Sequence, residues 1–167
     1  MEKNKFEIAR EKYKPENKVK FLFVGESRPV SDEFFYINNT LLYSQTKETF
    51  ELLIGEFSRE KFKALGCWLY DVCPEPINQY NEHDPKEREI KRGIIRNNLS
   101  RLKSIINELS PEYIIVVKKG LFGKEVCSAI RSMDKNIQVF NISFPACGNQ
   151  KKYREELFCI LKGKING

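Results

Sequence analysis

The sequence predicts an α/β fold, a three-layer α/β/α sandwich built on a central four-stranded parallel sheet. Short β-rich runs alternate along the chain with helical patterns, the order that arises when parallel strands are joined by helical crossovers. The runs are also mostly apolar without polar alternation, which is typical of strands covered on both faces. The predicted strands are residues 19–25, 67–72, 113–117 and 137–143.

Helical signals separate these strands. The first predicted helix, residues 46–57, carries apolar side chains at helical spacing. A longer amphipathic helix is predicted after the N-cap Asp84, with Pro85 at its first position, and it runs to about residue 109. The first 15 residues, which include a helix-compatible stretch, and the tail after residue 161 are expected to be peripheral. Two further helices are predicted at 121–133 and 149–161.

Length and composition indicate one domain. A chain of 167 residues with 41% hydrophobic content can bury a substantial core, so we predict a single domain over 1–167 with its core at about 18–161. No run of about 18 apolar residues is present, so no membrane segment is expected. Residues 1–14 are highly charged and unlike a signal peptide. We therefore expect a cytoplasmic protein, and a monomer.

The charge balance is moderately basic. The 29 Lys and Arg residues exceed the 23 Asp and Glu residues, which gives a net charge of +6. This excess is compatible with solubility alone, and it also permits a partner that bears phosphate groups, such as DNA.

The cysteine pattern indicates reduced thiols. Five cysteines without a Cys-x-x-Cys pair predict neither a disulfide framework nor a zinc or iron–sulfur site, and no cofactor or metal is expected. Free cysteines are among the most buried residues, so we expect most of them in or near the core. They are Cys67, Cys73, Cys127, Cys147 and Cys159.

Polar and aromatic side chains follow each predicted strand. In a parallel sheet the carboxyl ends of the strands share one edge, where ligands usually bind. Carboxylates, amides, aromatic rings, prolines and glycines at this edge predict a pocket for a flat, polar ring. Lys118 and Lys119 follow the third predicted strand, and for this pair we favour a solvent-exposed loop over a role in the pocket. The four segments are residues 25–36, 71–80, 118–123 and 143–150.

Several residues in these segments are candidates for contact with a base. Gly25 would let the backbone approach a ligand closely. Phe34 and Phe35 are followed by Tyr36, and three consecutive rings cannot all face one core, so at least one is expected to project toward a site or solvent. Asn38 and Asn39 would hydrogen-bond the edge of a base, or else serve as a turn device.

The start of the last predicted helix is a candidate phosphate site. Exposed backbone N–H groups at a helix start attract anions. Lysines in a first turn oppose the helix dipole, so their presence there favours a bound anion. The predicted contacts are Gly148, Asn149, Gln150, Lys151 and Lys152.

The order of these motifs resembles the uracil-DNA glycosylase superfamily over about residues 18–161. The motifs are "FLFVGES-P…FFY" after the first strand, a Pro-rich loop after the second, "PEYIIVV" and "SFPACGNQKKYREEL". The resemblance implies that Glu26 positions the attacking water, while Ser27 stands where the classical branch carries its water-activating aspartate. It also implies that Phe34 or Phe35 stacks on the base. Asp32 and Glu33 are reserve carboxylates.

The second motif departs from the family pattern. The resemblance implies a His-Pro-Ser loop that stabilises charge on the departing base and wedges into DNA, but here Phe144 and Pro145 are followed by Ala146. The histidine is missing. His83, the single histidine of the chain, is expected in a surface loop.

Three functions remain open at this stage. The resemblance implies a glycosylase that hydrolyses the N-glycosidic bond of uracil or another deaminated or damaged base flipped out of DNA. The alternative is a non-catalytic module that binds nucleic acid or a nucleotide with the same pocket. A serine hydrolase of the Gly-Asp-Ser type would use Ser27 as nucleophile, but no histidine follows residue 83 to act as its base.

Overall fold

The computed structural model describes residues 3–133 and 136–165, and its strands form one parallel sheet with the order β2-β1-β3-β4. The predicted α/β class and four-stranded parallel sheet are therefore confirmed. The single-domain prediction also covers residues 1–2, 134–135 and 166–167, which lie outside the described residues. The strands are β1 (Phe21–Gly25), β2 (Cys67–Asp71), β3 (Tyr113–Val117) and β4 (Gln138–Ile142).

Helices cover both faces of the sheet. Helix α2 packs against α7, and α3 packs on β2, which forms one layer; α6 packs against α4 and α5 and forms the other. The central strands β1 and β3 are almost entirely buried between these layers, as expected for parallel strands. The helices are α1 (Lys5–Lys12), α2 (Leu41–Ile54), α3 (Arg59–Ala64), α4 (Pro85–Asn97), α5 (Leu99–Leu109), α6 (Leu121–Arg131) and α7 (Gln150–Leu161).

The long helix predicted after Asp84 is divided in two. The Asp84 carboxylate accepts hydrogen bonds from the N–H groups of Lys86 and Glu87, so the predicted N-cap is confirmed. The helix is interrupted at Asn98, whose side-chain amide donates to the Ile94 carbonyl at 2.8 Å. An asparagine that bonds a nearby backbone group competes with regular helical hydrogen bonding, so α4 ends at Asn97 and α5 begins at Leu99.

The remaining helix predictions need smaller corrections. Helix α2 begins before the predicted residue 46, because the Thr40 hydroxyl accepts a hydrogen bond from Tyr43 N at 3.1 Å and caps it earlier. Gly55, at φ 79°, ends it. Helix α3 was not predicted, since it is only six residues long; the Ser58 hydroxyl caps it and Phe62 anchors it in the core.

The N-terminal segment is not peripheral, contrary to expectation. Helix α1 buries Phe6, whose ring meets the edge of the Phe34 ring at a centroid distance of 5.4 Å. Arg10 from the same helix lies 3.4 Å from the Asp71 carboxylate at the end of β2. Helix α1 therefore contacts both the edge strand β2 and the 34–36 segment.

The strand order creates a crevice between β1 and β3. The chain leaves β1 for β2 on one side and later returns to add β3 on the other side. In open parallel sheets, ligands bind beyond the carboxyl ends of the strands at such a reversal, because the two connecting loops diverge there. Glu26 follows β1 directly and Lys118 follows β3 directly, so both lie at this crevice.

Within residues 3–133 and 136–165, every helix is too short or too polar to cross a bilayer.

Candidate functional site

A cavity of about 280 Å³ lies at the carboxyl ends of β1, β2 and β3. Segments that follow all four strands contribute to its wall, so the shared rim expected from the sequence is present. Its lining combines apolar and aromatic walls with a few charged and amide groups, the usual composition of a small-molecule site. The lining residues include Gly25, Glu26, Ser27, Phe34, Phe35, Leu69, Asp71, Asn78, Val117, Lys118 and Phe144.

Glu26 places a buried carboxylate on the cavity wall. Its side chain is only 7% exposed. The backbone is fixed because the strand pairing continues past β1: Val72 N donates to the Gly25 carbonyl and Cys73 N to the Glu26 carbonyl, each at 2.9 Å. A carboxylate at this depth requires charged or polar partners, since burial without them is costly.

Lys118 supplies the first of these partners. Its Nζ lies 3.1 Å from both carboxylate oxygens of Glu26. The expectation of a solvated loop is therefore wrong for Lys118, which is half-buried and lines the cavity. The expectation of a solvent-exposed lysine agrees with the neighbouring Lys119, which is exposed and pairs with Glu156 at 2.9 Å.

Two residues that sequence reasoning missed complete the charge network. Lys91 of α4 is 1% exposed, and its Nζ lies 3.3 Å from Glu26 Oε1 and 2.9 Å from Glu82 Oε1. Glu82 also approaches Lys118 Nζ at 3.3 Å. We call Glu26, Glu82, Lys91 and Lys118 the four-charge network; it contains two carboxylates and two ammonium groups.

The position of Lys91 in the sequence carried a signal that could have revealed it. Lys91 lies four residues before the buried Ile95, so it occupies the apolar stripe of its helix rather than the solvated face. A lysine in such a stripe requires a buried anion as partner. Glu82 carried no comparable signal, because its role depends on how the loop before α4 folds.

Lys118 and Glu82 of this network are held in their charged forms. Burial alone would lower the pKa of Lys118, but attraction and hydrogen bonding to Glu26 and attraction to Glu82 outweigh it, and the pKa is raised. Burial raises the pKa of Glu82, but hydrogen bonds and attraction from Lys91 and Lys118 outweigh it, and that pKa is lowered. The cavity therefore presents an ammonium group beside a carboxylate.

Asp71 is a second buried carboxylate at the cavity, at the end of β2. Burial raises its pKa, although Arg10 at 3.4 Å opposes this effect. Its Oδ1 occupies the space where a β-carbon on Gly25 would lie. The glycine therefore makes room for the neighbouring carboxylate, which is a different reason from the close approach of a ligand expected from the sequence.

The three consecutive aromatic residues are all buried. Phe34 and Phe35 line the cavity, while the Tyr36 hydroxyl donates to the Leu69 carbonyl and accepts from Leu69 N. The premise that three consecutive rings cannot all face one core is wrong, because all three belong to the same buried cluster and Phe6 of α1 covers Phe34. Two rings nevertheless face the site, as a base-stacking role requires.

Ser27 lies at the cavity and ties two loops together. Its hydroxyl accepts a hydrogen bond from Ile77 N at 3.2 Å, which holds the loop after β2 beside the loop after β1. Asn78, next along that loop, is exposed and lines the cavity, so its amide is available to the edge of a ring. Sequence reasoning had not singled out Asn78. The single histidine, His83, is exposed in the loop before α4, as expected.

Asn38 and Asn39 are not brought to the cavity. Both are exposed, and the Asn38 side chain accepts a hydrogen bond from Phe34 N at 3.0 Å. This contact favours the interpretation of a turn device. Of the reserve carboxylates, Asp32 is exposed and pairs with Arg28 at 2.9 Å, whereas Glu33 lines the cavity from an exposed position.

The loop after β4 reaches the cavity through one ring. Phe144 is 40% exposed and lines the cavity, while the adjoining Pro145 is buried and anchors the loop. Gly148 adopts a φ of 84° before α7, and Asn149 makes no side-chain cap. The predicted phosphate contacts Gly148, Asn149, Gln150, Lys151 and Lys152 are exposed or half-buried at this end of the sheet.

The described residues contain no cluster of three or more potential metal ligands. All five cysteines are free: Cys67, Cys73 and Cys127 are buried, and Cys147 and Cys159 are exposed. The chemistry available at the cavity is therefore that of carboxylates, ammonium groups, amides and aromatic rings.

Comparisons with models of known protein families and with curated proteins give no match. The function must therefore be argued from the geometry of the cavity and its charges.

Proposed function

We propose that this protein is a DNA glycosylase-like hydrolase that cleaves the N-glycosidic bond of uracil, or of another deaminated or damaged base, flipped out of DNA. The observation that carries the proposal is that one cavity joins the Glu26 carboxylate, the Lys118 ammonium group and the rings of Phe34, Phe35 and Phe144. At about 280 Å³ the cavity matches a single ring system better than a larger cofactor.

The reaction requires this combination of groups. Breaking the N-glycosidic bond leaves positive charge on the sugar and negative charge on the base. A carboxylate near the sugar stabilises the positive charge on the sugar and orients the attacking water, which is the role we assign to Glu26. Aromatic walls stabilise the flipped base by stacking. Ser27 would act through the loop that it holds, rather than on the water.

DNA is the proposed partner because the rim of the cavity is basic and aromatic. Phe144 is exposed there, and the loop that carries it leads into the first turn of α7, which holds the exposed Lys151 and Lys152. Together with the net charge of +6, these residues suit phosphates on either side of an extruded nucleotide.

A binding module without catalysis is the second candidate, and one observation favours it. Both oxygens of Glu26 lie 3.1 Å from Lys118 Nζ, and Oε1 also lies 3.3 Å from Lys91 Nζ. These contacts use the lone pairs that a water-activating carboxylate needs. Catalysis requires that at least one oxygen of Glu26 accept a hydrogen bond from water when the base is bound.

The test is base release from single- and double-stranded DNA that contains uracil, hypoxanthine or xanthine, under single-turnover conditions. Glu26→Gln should lower the release rate at least about 100-fold, as for loss of a group that acts on the transition state. The matched control is Glu108→Gln on α5, a 62% exposed carboxylate paired with Lys14, which should leave the rate unchanged. Thermal unfolding of each variant checks the fold.

Phe144→Ala provides a second test that does not disturb the network. Because the ring is exposed, its loss should leave stability unchanged but weaken binding of DNA containing the released base. DNA binding without release from any substrate would establish the binding module. Release that Glu26→Gln does not affect would remove Glu26 from the mechanism.

A further inference from the structure

Lys118 is built into the cavity wall by its backbone as well as by its charge. Its φ is 128°, a conformation that side-chain-bearing residues rarely adopt. Lys118 N donates to the Ile142 carbonyl at 2.9 Å, and Asn141 Nδ2 donates to the Lys118 carbonyl at the same distance. A β-carbon on Gly123 would collide with Asn141 and with the Lys118 carbonyl. Strand β4 and helix α6 thus cooperate to hold a strained residue, a pattern that marks functional positions.

The ammonium group of Lys118 is presented to the cavity and is fixed from behind. Its side chain is 28% exposed, and Glu82 Oε1 lies 3.3 Å from Nζ without lining the cavity. Glu26 does not depend on Lys118 alone, because Lys91 also neutralises it at 3.3 Å. Lys118 can therefore exchange one contact with Glu26 for a contact with a ligand while the buried carboxylate stays compensated.

We propose that Lys118 stabilises the negative charge on the departing base, and so performs the task for which the loop after β4 offers no histidine. The inference rests on the proposed glycosylase function. The loop after β4 places Phe144 at the cavity, whereas β3 delivers Lys118 to the same wall. Glu82 is a positioning residue in this scheme, since it holds the ammonium group without reaching the cavity.

The other cation on the cavity wall is less suited to this role. Arg28 lines the cavity, but its guanidinium group lies over the Phe6 ring at 4.3 Å and pairs with Asp32 at 2.9 Å. Lys91 is fully buried behind Glu26 and does not line the cavity. Lys118 thus combines a charge, access and a fixed position.

The bond between C1′ of the sugar and the ring nitrogen breaks, and its electron pair leaves with the base, which becomes an anion beside the Lys118 ammonium group. The oxygen of water forms a new bond to C1′, with the Glu26 carboxylate orienting it. The proton lost by that water passes through solvent to the base nitrogen, so the products are a free neutral base and an abasic sugar.

The test compares Lys118→Met and Lys118→Arg with the matched control Lys119→Met, which changes the neighbouring exposed lysine. Base release from DNA containing uracil should fall on the order of 100- to 1,000-fold in Lys118→Met, recover in part in Lys118→Arg and remain unchanged in Lys119→Met. Glu82→Gln should give an intermediate loss in the rate of release without a change in DNA affinity.

A series of leaving bases separates this role from a structural one. The electron-withdrawing fluorine of 5-fluorouracil stabilises the base anion, so its release needs less help from a cation. Lys118→Met should therefore slow the release of uracil more than that of 5-fluorouracil, by about tenfold. Equal losses for both bases, with an intact melting temperature, would overturn the proposal.

Failure of the glycosylase function would be visible separately. If wild-type protein releases no base, titration with free 5-fluorouracil above and below the pH of its N–H ionisation still tests Lys118. The ionised base should bind about tenfold more weakly to Lys118→Met than to wild type, while the neutral base should bind equally to both. Equal binding of the ionised base to both proteins would refute the role of Lys118. Should Lys118→Met fail to fold, the same comparison with Lys118→Gln replaces it.

Discussion

Replacement of Lys91 with methionine is expected to lower the free energy of unfolding by about 3 kcal/mol at neutral pH. Lys91 is 1% exposed, and its Nζ lies between Glu26 Oε1 at 3.3 Å and Glu82 Oε1 at 2.9 Å. Methionine retains most of the length of the lysine side chain and removes only its charge. The loss therefore reports on the charge network rather than on a cavity.

The size of this loss in the free energy of unfolding depends on which cation each carboxylate keeps after Lys91 is replaced. Removal of one partner from a buried ion pair typically costs about 3 to 5 kcal/mol, because the other charge stays buried. Glu26 keeps Lys118 at 3.1 Å, so the lower end applies. For a chain of 167 residues this corresponds to a decrease in melting temperature of about 6 to 12 °C. Glu82 is 27% exposed and Lys91 keeps Glu26 at 3.3 Å, so Glu82→Gln should cost less than Lys91→Met.

The assay is urea unfolding followed by the fluorescence of Trp68, the single tryptophan, which is buried in β2. The control is Lys47→Met, which removes a surface pair with Glu51 at 3.7 Å and should cost at most about 0.5 kcal/mol. The double variant Glu26→Gln/Lys91→Met should lose less than the sum of the single losses. If Lys91→Met proves as stable as Lys47→Met, Lys91 does not compensate the buried carboxylate.

Three further predictions test the frame of the cavity. Tyr36→Phe removes the hydroxyl that bridges Leu69 N and O on the outer edge of β2, and should cost about 1 to 3 kcal/mol in urea unfolding; an unchanged midpoint would show that the edge needs no such bridge. Burial raises the pKa of the Asp71 carboxyl group, against the attraction of Arg10. The neutral carboxyl group therefore contributes stability that is fully present below its ordinary pKa of 3.8 and is lost as the pH rises through the pKa of the folded protein. Asp71→Asn should therefore raise the melting temperature at pH 7, with a gain that shrinks toward pH 4, and a constant difference across this range would contradict the assignment. Gly25→Ala places a β-carbon on Asp71 Oδ1 and should cost about 1 to 3 kcal/mol, and the double variant Gly25→Ala/Asp71→Ala should recover most of this loss.

The sheet was predictable because its strands are short apolar runs with clear ends. Four parallel strands buried on both faces follow from such runs, and the structure confirms this burial for β1, β2 and β3, whereas β4 is mostly half-buried. The break at Asn98 was not predictable, because one side-chain contact with the Ile94 carbonyl decides between one helix and two. Helix α3 was missed for a related reason, since its position depends on one buried ring, Phe62, in a cluster formed by distant segments.

The cavity was only partly predictable. The structure brings together Glu26, Phe34, Phe35 and Phe144, which the sequence had marked because they follow strand ends. The role of Asn38 was left open because the same side chain suits a turn or a base, and its bond to Phe34 N favours the turn. The four-charge network was missed because ion pairing between strand ends and a helix depends on tertiary packing, which local sequence patterns do not reveal.

The strand order nevertheless links the two central charges by a simple argument. Glu26 and Lys118 are 92 positions apart in the sequence, yet each is the first residue after a strand. In the order β2-β1-β3-β4, β1 and β3 are direct neighbours, and their register places Val24 beside Val116. The residues that follow must then lie side by side at the crevice. In this chain the two positions carry a carboxylate and an ammonium group, so the placement of the charges follows from the fold, and their chemistry from the sequence.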